Sequence, residues 1–202
     1  MTRVVRAYVR QRVATELKLL GYWGTEGVEN DVNFESGHID REGRTDIAYL
    51  WNNDTFGMEL VFEFKKLTTR SDSRSRYIHH GVQNFVSGIY SERQPFAVMV
   101  GILLASREEA GQGLCLALAH RPTAAAIHAC ANTDHRFVMA PSTLFPKYAT
   151  FDTEHLRSAS NAPFHGTIRI AHLFLEFPYA KFTYKRKQRA ALIESLENDD
   201  DV

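Results

Sequence analysis

The stretch from Arg44 to Leu67 carries charges inside two runs that otherwise have the composition of buried strands. The first run is Arg-Thr-Asp-Ile-Ala-Tyr-Leu-Trp, the second Gly-Met-Glu-Leu-Val-Phe-Glu-Phe-Lys-Lys-Leu, and a polar turn from Asn52 to Thr55 lies between them. Aromatic, β-branched and aliphatic residues suit strands while Asn and Asp suit turns, so the stretch predicts an antiparallel hairpin. In the second arm Glu63 and Lys65 are two apart and project from one face. Asp46, in the middle of the first arm, is the third member of the predicted cluster. Each of these charges is costly to desolvate alone, so they must pair with one another or bind a cation.

Asp46 on one strand, followed by Glu63-Phe64-Lys65 on the next, resembles the PD-(D/E)XK nuclease superfamily, the restriction-endonuclease-like fold. Thr45 stands where the family pattern has its proline. An acidic residue two before a lysine arises roughly once by chance in a chain of this length, and Glu16-Leu17-Lys18 is such a second copy. That copy lies in a helical pattern, where residues two apart point about 200° apart around the axis and cannot share a site.

The resemblance implies an α/β domain in which a mixed β-sheet is flanked by helices, and an activity of metal-dependent phosphodiester hydrolysis, with DNA as the substrate and partner. It implies that Asp46 and Glu63 hold Mg²⁺, for which Mn²⁺ can substitute, and that the Phe64 carbonyl adds a ligand. Lys65 would be the catalytic residue that orients the metal-bound water and offsets developing charge. An acidic residue on the first helix is also expected near the metal, and Glu16 is that residue here. Gln83, on the helix after the lysine strand, matches a substrate-positioning glutamine of the RecB-like branch, whose tyrosine usually follows four residues later; this chain has Ser87 there and Tyr90 three further on.

Residue pattern supports part of this independently. Val5, Val9, Val13, Leu17 and Leu20 repeat at helical spacing from Arg3 to Leu20, which turns Glu16 inward, either toward the site or toward an interior base. Val28 to Glu35 alternates as a half-exposed strand, and Ser36 to Gly43 reads as a polar loop. Thr68 to Arg76 reads as a surface loop whose Arg70, Arg74 and Arg76 either hold phosphates or are simply solvated. Ile78, Val82, Phe85, Val86 and Ile89 form one stripe of a helix from Tyr77 to Tyr90, with Gln83 and Tyr90 along its edge.

Further on, Phe96 to Ala105 is a continuous apolar run, predicted as a strand buried on both faces. Gly111 to Gly113 reads as a turn into a second buried strand, Leu114 to Ala119, and Pro122 as the start of a helix through Ala131. Strands are also predicted at Phe137 to Ala140 and Thr167 to Phe177, with an irregular region from Pro141 to Gly166 between them. Tyr179 to Arg189 interleaves basic and aromatic residues, which nominates Lys185 and Arg186 for nucleic-acid contact.

With 202 residues, 44% of them hydrophobic, the chain is expected to form one domain over residues 1–190, followed by an acidic tail, 191–202, expected to be disordered. The formal net charge of zero means that any DNA contact must come from local patches. Two cysteines and no secretory signal point to a reducing, cytoplasmic setting. Cys115, His120, His128, Cys130 and His135 include no close cysteine pair of the kind a zinc site needs. A non-catalytic nuclease-fold module that binds nucleic acid or a partner protein is the rival reading, and the chain is compatible with a homodimer or a place in a larger defence or repair system.

Overall fold

The computed structural model describes residues 22–25, 28–32, 39–44, 46–52, 57–92, 94–159, 162 and 166–176. The predicted helix from Arg3 to Leu20 with Glu16, the Tyr179 to Arg189 segment with Lys185 and Arg186, and the acidic tail lie outside these residues. The described chain is mixed α/β, built on a six-stranded mixed sheet in the order β1 (Tyr22–Thr25), β4 (Ile47–Asn52), β5 (Gly57–Leu67), β6 (Phe96–Leu103), β8 (Thr167–Glu176), β7 (Ala149–Leu156), with a separate two-stranded sheet of β2 (Val28–Val32) and β3 (Ile39–Arg44).

The sheet begins with β1 (Tyr22–Thr25), which runs antiparallel to β4 (Ile47–Asn52), and β4 in turn runs antiparallel to β5 (Gly57–Leu67). The hairpin predicted from the charged stretch is therefore present, and Ile47 pairs with Phe62. Asp46 lies just before β4 rather than in the middle of an arm. β2 (Val28–Val32) and β3 (Ile39–Arg44) pair antiparallel, so part of the predicted polar loop is a strand. Backbone pairing with β2 gives Ile-Asp-Arg-Glu-Gly-Arg a strand conformation that its composition does not favour.

After β5 the chain becomes helical earlier than its periodicity indicates. Helix α1 (Ser71–Tyr77) runs into a π-helical turn (Ile78–Val82) and then into α2 (Gln83–Val86). The segment predicted as a loop up to Arg76 is thus mostly helix. It has no apolar stripe because only Tyr77 of α1 is buried. Ser73 Oγ accepts a 2.9 Å hydrogen bond from the Thr68 N–H, which fixes the turn from strand to helix.

β6 (Phe96–Leu103) is parallel to both its neighbours, β5 and β8 (Thr167–Glu176). Every residue of β6 after Phe96 is buried, as expected of a central parallel strand, and the continuous apolar run follows from that position. Gly101 admits the Phe174 ring, since a Cβ there would stand 2.7 Å from Phe174 Cδ1.

The predicted strand from Leu114 to Ala119 is instead the second half of helix α3 (Arg107–Ala119). Ser106 Oγ accepts from the Glu109 N–H and donates to Glu109 Oε2, at 3.2 and 2.9 Å, a capping arrangement that starts the helix. Ala110, Gly111, Leu114 and Leu118 make its buried face, while Leu116 is 73% exposed. Cys115 accordingly sits on a helix. Helix α4 (Arg121–Ala126) has proline in its first turn as expected, but ends before Ala131.

The region from Pro141 to Gly166, predicted irregular, contains β7 (Ala149–Leu156), which pairs antiparallel with β8. At Phe137 to Ala140 the extended strand reduces to one bridge, Met139 to Asp152. β7 is Ala-Thr-Phe-Asp-Thr-Glu-His-Leu, and its buried polar groups are held by hydrogen bonds. Asp152 accepts from Ser142 Oγ, the Thr143 N–H and hydroxyl, and the Leu144 N–H. Just beyond β7, the buried Arg157 guanidinium donates to the carbonyls of Phe85, Tyr90, Ser91 and Gln94, tying the end of α2 to the far edge of the sheet.

Candidate active site

The alternation of β5 decides what faces the site. Val61, Glu63, Lys65 and Leu67 share one face, and Phe62, Phe64 and Lys66 the other. On the second face the Trp23 ring lies 4.7 Å from the Tyr49 ring and 6.1 Å from the Phe62 ring. The first face lies under the helical segment, because a Cβ on Gly81 would run into the Met99 thioether and come 3.7 Å from Lys65 Cγ. The backbone of the π-turn therefore passes over the Lys65 stem, and a side chain at position 81 would have to displace the flexible end of Met99. Gly81 was not singled out by pattern; its signal is a glycine inside an otherwise regular apolar stripe.

Three of the predicted side chains and the Phe64 main chain come together at the start of β4. Pairing stops at Ile47 and Phe62, so the next ladder position on β5 has no strand residue to bond with. The Asp46 side chain takes it: Oδ2 accepts a 2.8 Å hydrogen bond from the Phe64 N–H. This brings the Asp46 carboxylate beside Glu63, which is only 2% exposed. Lys65 Nζ donates to Glu63 Oε1 in an ion pair. Glu63 Oε2 is buried and has no hydrogen-bond partner among the described residues.

The electrostatics follow from this geometry. Burial pushes the Glu63 carboxyl up to about 7, the nearby Asp46 charge adds to the rise, and the Lys65 hydrogen bond and charge oppose it. A buried carboxylate oxygen with no donor among the described residues, next to a second carboxylate, suits a hard cation that accepts oxygen ligands. The donor set of Asp46, Glu63 and the Phe64 carbonyl fits Mg²⁺ or Mn²⁺ in chemistry. It amounts to two acidic side chains, and no group of three or more His, Cys, Asp or Glu gathers into a metal-holding cluster among the described residues.

The remaining predicted residues are dispersed. Gln83 begins α2 directly after the π-turn and is half-buried. Arg70 precedes α1 and its Nε lies 3.1 Å from Asp72 Oδ1; Arg76 reaches the other oxygen of Asp72 at 4.0 Å, and both arginines are exposed. Arg74 donates to the Thr69 carbonyl and packs beside Gly113 of α3. Tyr90, expected at a nucleic-acid surface, is instead a core residue, 7% exposed with its ring edge-on to Phe85 at 5.5 Å. The Tyr90 carbonyl there accepts from the Arg157 guanidinium, and its ring packs into the core beside Phe85.

No family model, no curated protein and no solved structure matches this chain. Among the described residues no helix is long and apolar enough to cross a membrane.

Proposed function

We propose that the chain is a metal-dependent nuclease that hydrolyses phosphodiester bonds in DNA, with restriction-endonuclease-like architecture and its site at the β4-β5 hairpin. The observation that carries this reading is the buried Glu63 Oε2, without a hydrogen-bond partner among the described residues, beside Asp46 and Lys65. The order of hairpin, helix and parallel strand in a mixed sheet agrees with the architecture expected from the resemblance.

Asp46 and Glu63 would hold the cation, with the Phe64 carbonyl as a further ligand. When bound, a divalent ion supplies Lewis-acid polarisation of the phosphate and a more acidic water. Asp46 is fixed for this task by its bond to the Phe64 amide, which holds its carboxylate beside Glu63. Glu63 must lose its proton to ligate, and Lys65 favours the charged form. Once Glu63 is shared with a cation, the Lys65 ammonium can turn to a water or a phosphate oxygen, orienting the first and offsetting charge on the second. Arg70, just before α1, and Arg76, in its last turn, are both exposed and can meet backbone phosphates.

The Glu63-Lys65 ion pair also supports a second reading. A carboxylate already paired with an ammonium needs no cation, which suits a non-catalytic nuclease-fold module that binds nucleic acid or a partner protein. A cleavage assay on a mixed panel of DNA and RNA, with and without Mg²⁺, separates the two. The nuclease reading expects metal-dependent cleavage that Asp46→Ala abolishes; binding without cleavage at any metal concentration overturns it.

A further inference from the structure

A chain of side-chain hydrogen bonds crosses the interior on the same face of the sheet as Glu63. Tyr77 Oη lies 3.0 Å from His172 Nδ1, His172 Nε2 lies 2.9 Å from Thr153 Oγ1, and Thr153 Oγ1 lies 2.7 Å from His155 Nε2. The far end is His155 Nδ1, 2.8 Å from the Ile127 carbonyl. All four side chains are buried.

The direction of every bond is fixed from that end. A carbonyl only accepts, so His155 Nδ1 carries the proton. A neutral His155 then accepts at Nε2 from the Thr153 hydroxyl, whose oxygen accepts from His172 Nε2–H. His172 Nδ1 is thereby left to accept from the Tyr77 hydroxyl. The opposite direction would set an unprotonated His155 nitrogen against the Ile127 oxygen. An added proton on His155 leaves the Thr153 hydroxyl hydrogen without an acceptor, and one on His172 turns the Tyr77 hydroxyl away. Either event also buries a cation. The titratable groups facing the pair are Tyr77 from α1, Glu154 on β7, His128 beyond α4, and the histidines themselves. Glu154 is already paired with Arg169 at 3.1 Å, and neither histidine is in an ion pair among the described residues. Burial pushes His155 down to about 4 and His172 well below the ordinary histidine range, in keeping with a neutral pair.

The near end of the chain matters for the candidate site. Glu63 pairs with Met99, and Met99 with His172, so the three lie in one row across β5, β6 and β8. Tyr77 sits over His172 and, one helical turn on, Gly81 sits over Met99 beside Lys65. The helix is thus hydrogen-bonded to the sheet at the His172 end of the row, and its π-turn passes over Met99 and beside Lys65.

We infer that the Tyr77-His172-Thr153-His155 chain is an acid-sensitive latch that holds helix α1 and its π-turn onto the sheet, so that protonation of the histidine pair loosens the cover over Glu63 and Lys65. The inference stands whether or not the hairpin cuts DNA. Its test is nuclear magnetic resonance on the full chain. At neutral pH, His155 is expected as the Nδ1–H tautomer and His172 as the Nε2–H tautomer; a charged ring or the reverse tautomers at either position overturns the latch. At about pH 5, within the histidine range, amide protection factors of residues 78–82 are expected to fall by about 10-fold while those of β6 hold. A uniform fall across the chain, or none, overturns it. Thr153→Val cuts the chain in the middle and is expected to show low π-turn protection already at neutral pH; if that variant does not fold, the wild-type comparison decides alone.

Discussion

Asp46 and Phe64 are joined by a 2.8 Å hydrogen bond in which a carboxylate side chain takes the place of a missing strand residue. The acid at this position thus has a structural task as well as the proposed ligand role, and substitutions separate them. Asp46→Asn keeps an oxygen for the Phe64 amide, whereas Asp46→Ala leaves that N–H unpaired at a cost of about 1 kcal/mol. Thermal unfolding is expected to show Ala less stable than Asn. Calorimetric titration with Mg²⁺ is expected to show weak or no binding in both. Wild-type affinity in the Asn variant would remove Asp46 from the ligand set.

The Glu63 carboxyl, raised from its ordinary 4.5 to about 7, makes a signed contribution to stability. Between those values the folded chain keeps a proton that the unfolded chain has released. This contribution is complete below about 4.5 and is lost as pH rises through about 7. His155, lowered from 6.5 to about 4, acts in the opposite sense: its contribution is complete above 6.5 and is lost as pH falls toward 4. The two partly cancel where their windows overlap. Glu63→Gln removes one arm, so its denaturant-unfolding free energy, measured with chelator present, should climb with pH more steeply than that of wild type. A difference between the two chains that does not vary with pH would mean that Glu63 titrates normally.

The hairpin was legible because its charges sit in strand-like surroundings and its spacing fixes which side chains share a face. β6 was legible for a related reason, since a strand parallel to both neighbours is apolar on both faces. β7 was not, because Asp152, Thr153 and His155 are polar yet buried; their cost is met by partners from residues 127, 142–144 and 172, which no local pattern reveals. Helix α3 was misread because Leu114 to Ala119 is apolar all round, although Leu116 faces outward. Ser106 and Glu109, three apart at its start, were the available sign of a helix. At the site, the Asp46, Glu63 and Lys65 cluster could be seen in sequence, whereas the Glu63-Lys65 ion pair and the Gly81 cover depend on tertiary packing.

Arg157 should be among the most sensitive positions outside the site. Its guanidinium satisfies carbonyls at Phe85, Tyr90, Ser91 and Gln94, where the chain leaves α2 and turns toward β6. Lysine lacks the planar fork that reaches several acceptors at once. Arg157→Lys is therefore expected to lose at least about 2 kcal/mol of stability, with hydrogen exchange rising first around residues 85–94. Unchanged stability would show that water replaces these bonds without penalty.

Lys65 separates chemistry from binding. Its ammonium is paired with Glu63 before any substrate arrives, and its stem packs beneath Gly81. Methionine preserves the stem and deletes the charge, so Lys65→Met should fold with the π-turn still seated. Without its partner, Glu63 is held less readily in the charged form, so Mg²⁺ affinity should drop modestly and recover at higher pH. Cleavage should fall by roughly 100-fold or more even at saturating metal, because a group that stabilises the transition state acts on turnover rather than on affinity. The checks are a titration of metal and DNA binding alongside single-turnover cleavage of the same substrate. Equal losses in binding and turnover would make Lys65 a structural partner of Glu63, and the site would then lack the group assigned to orient the water.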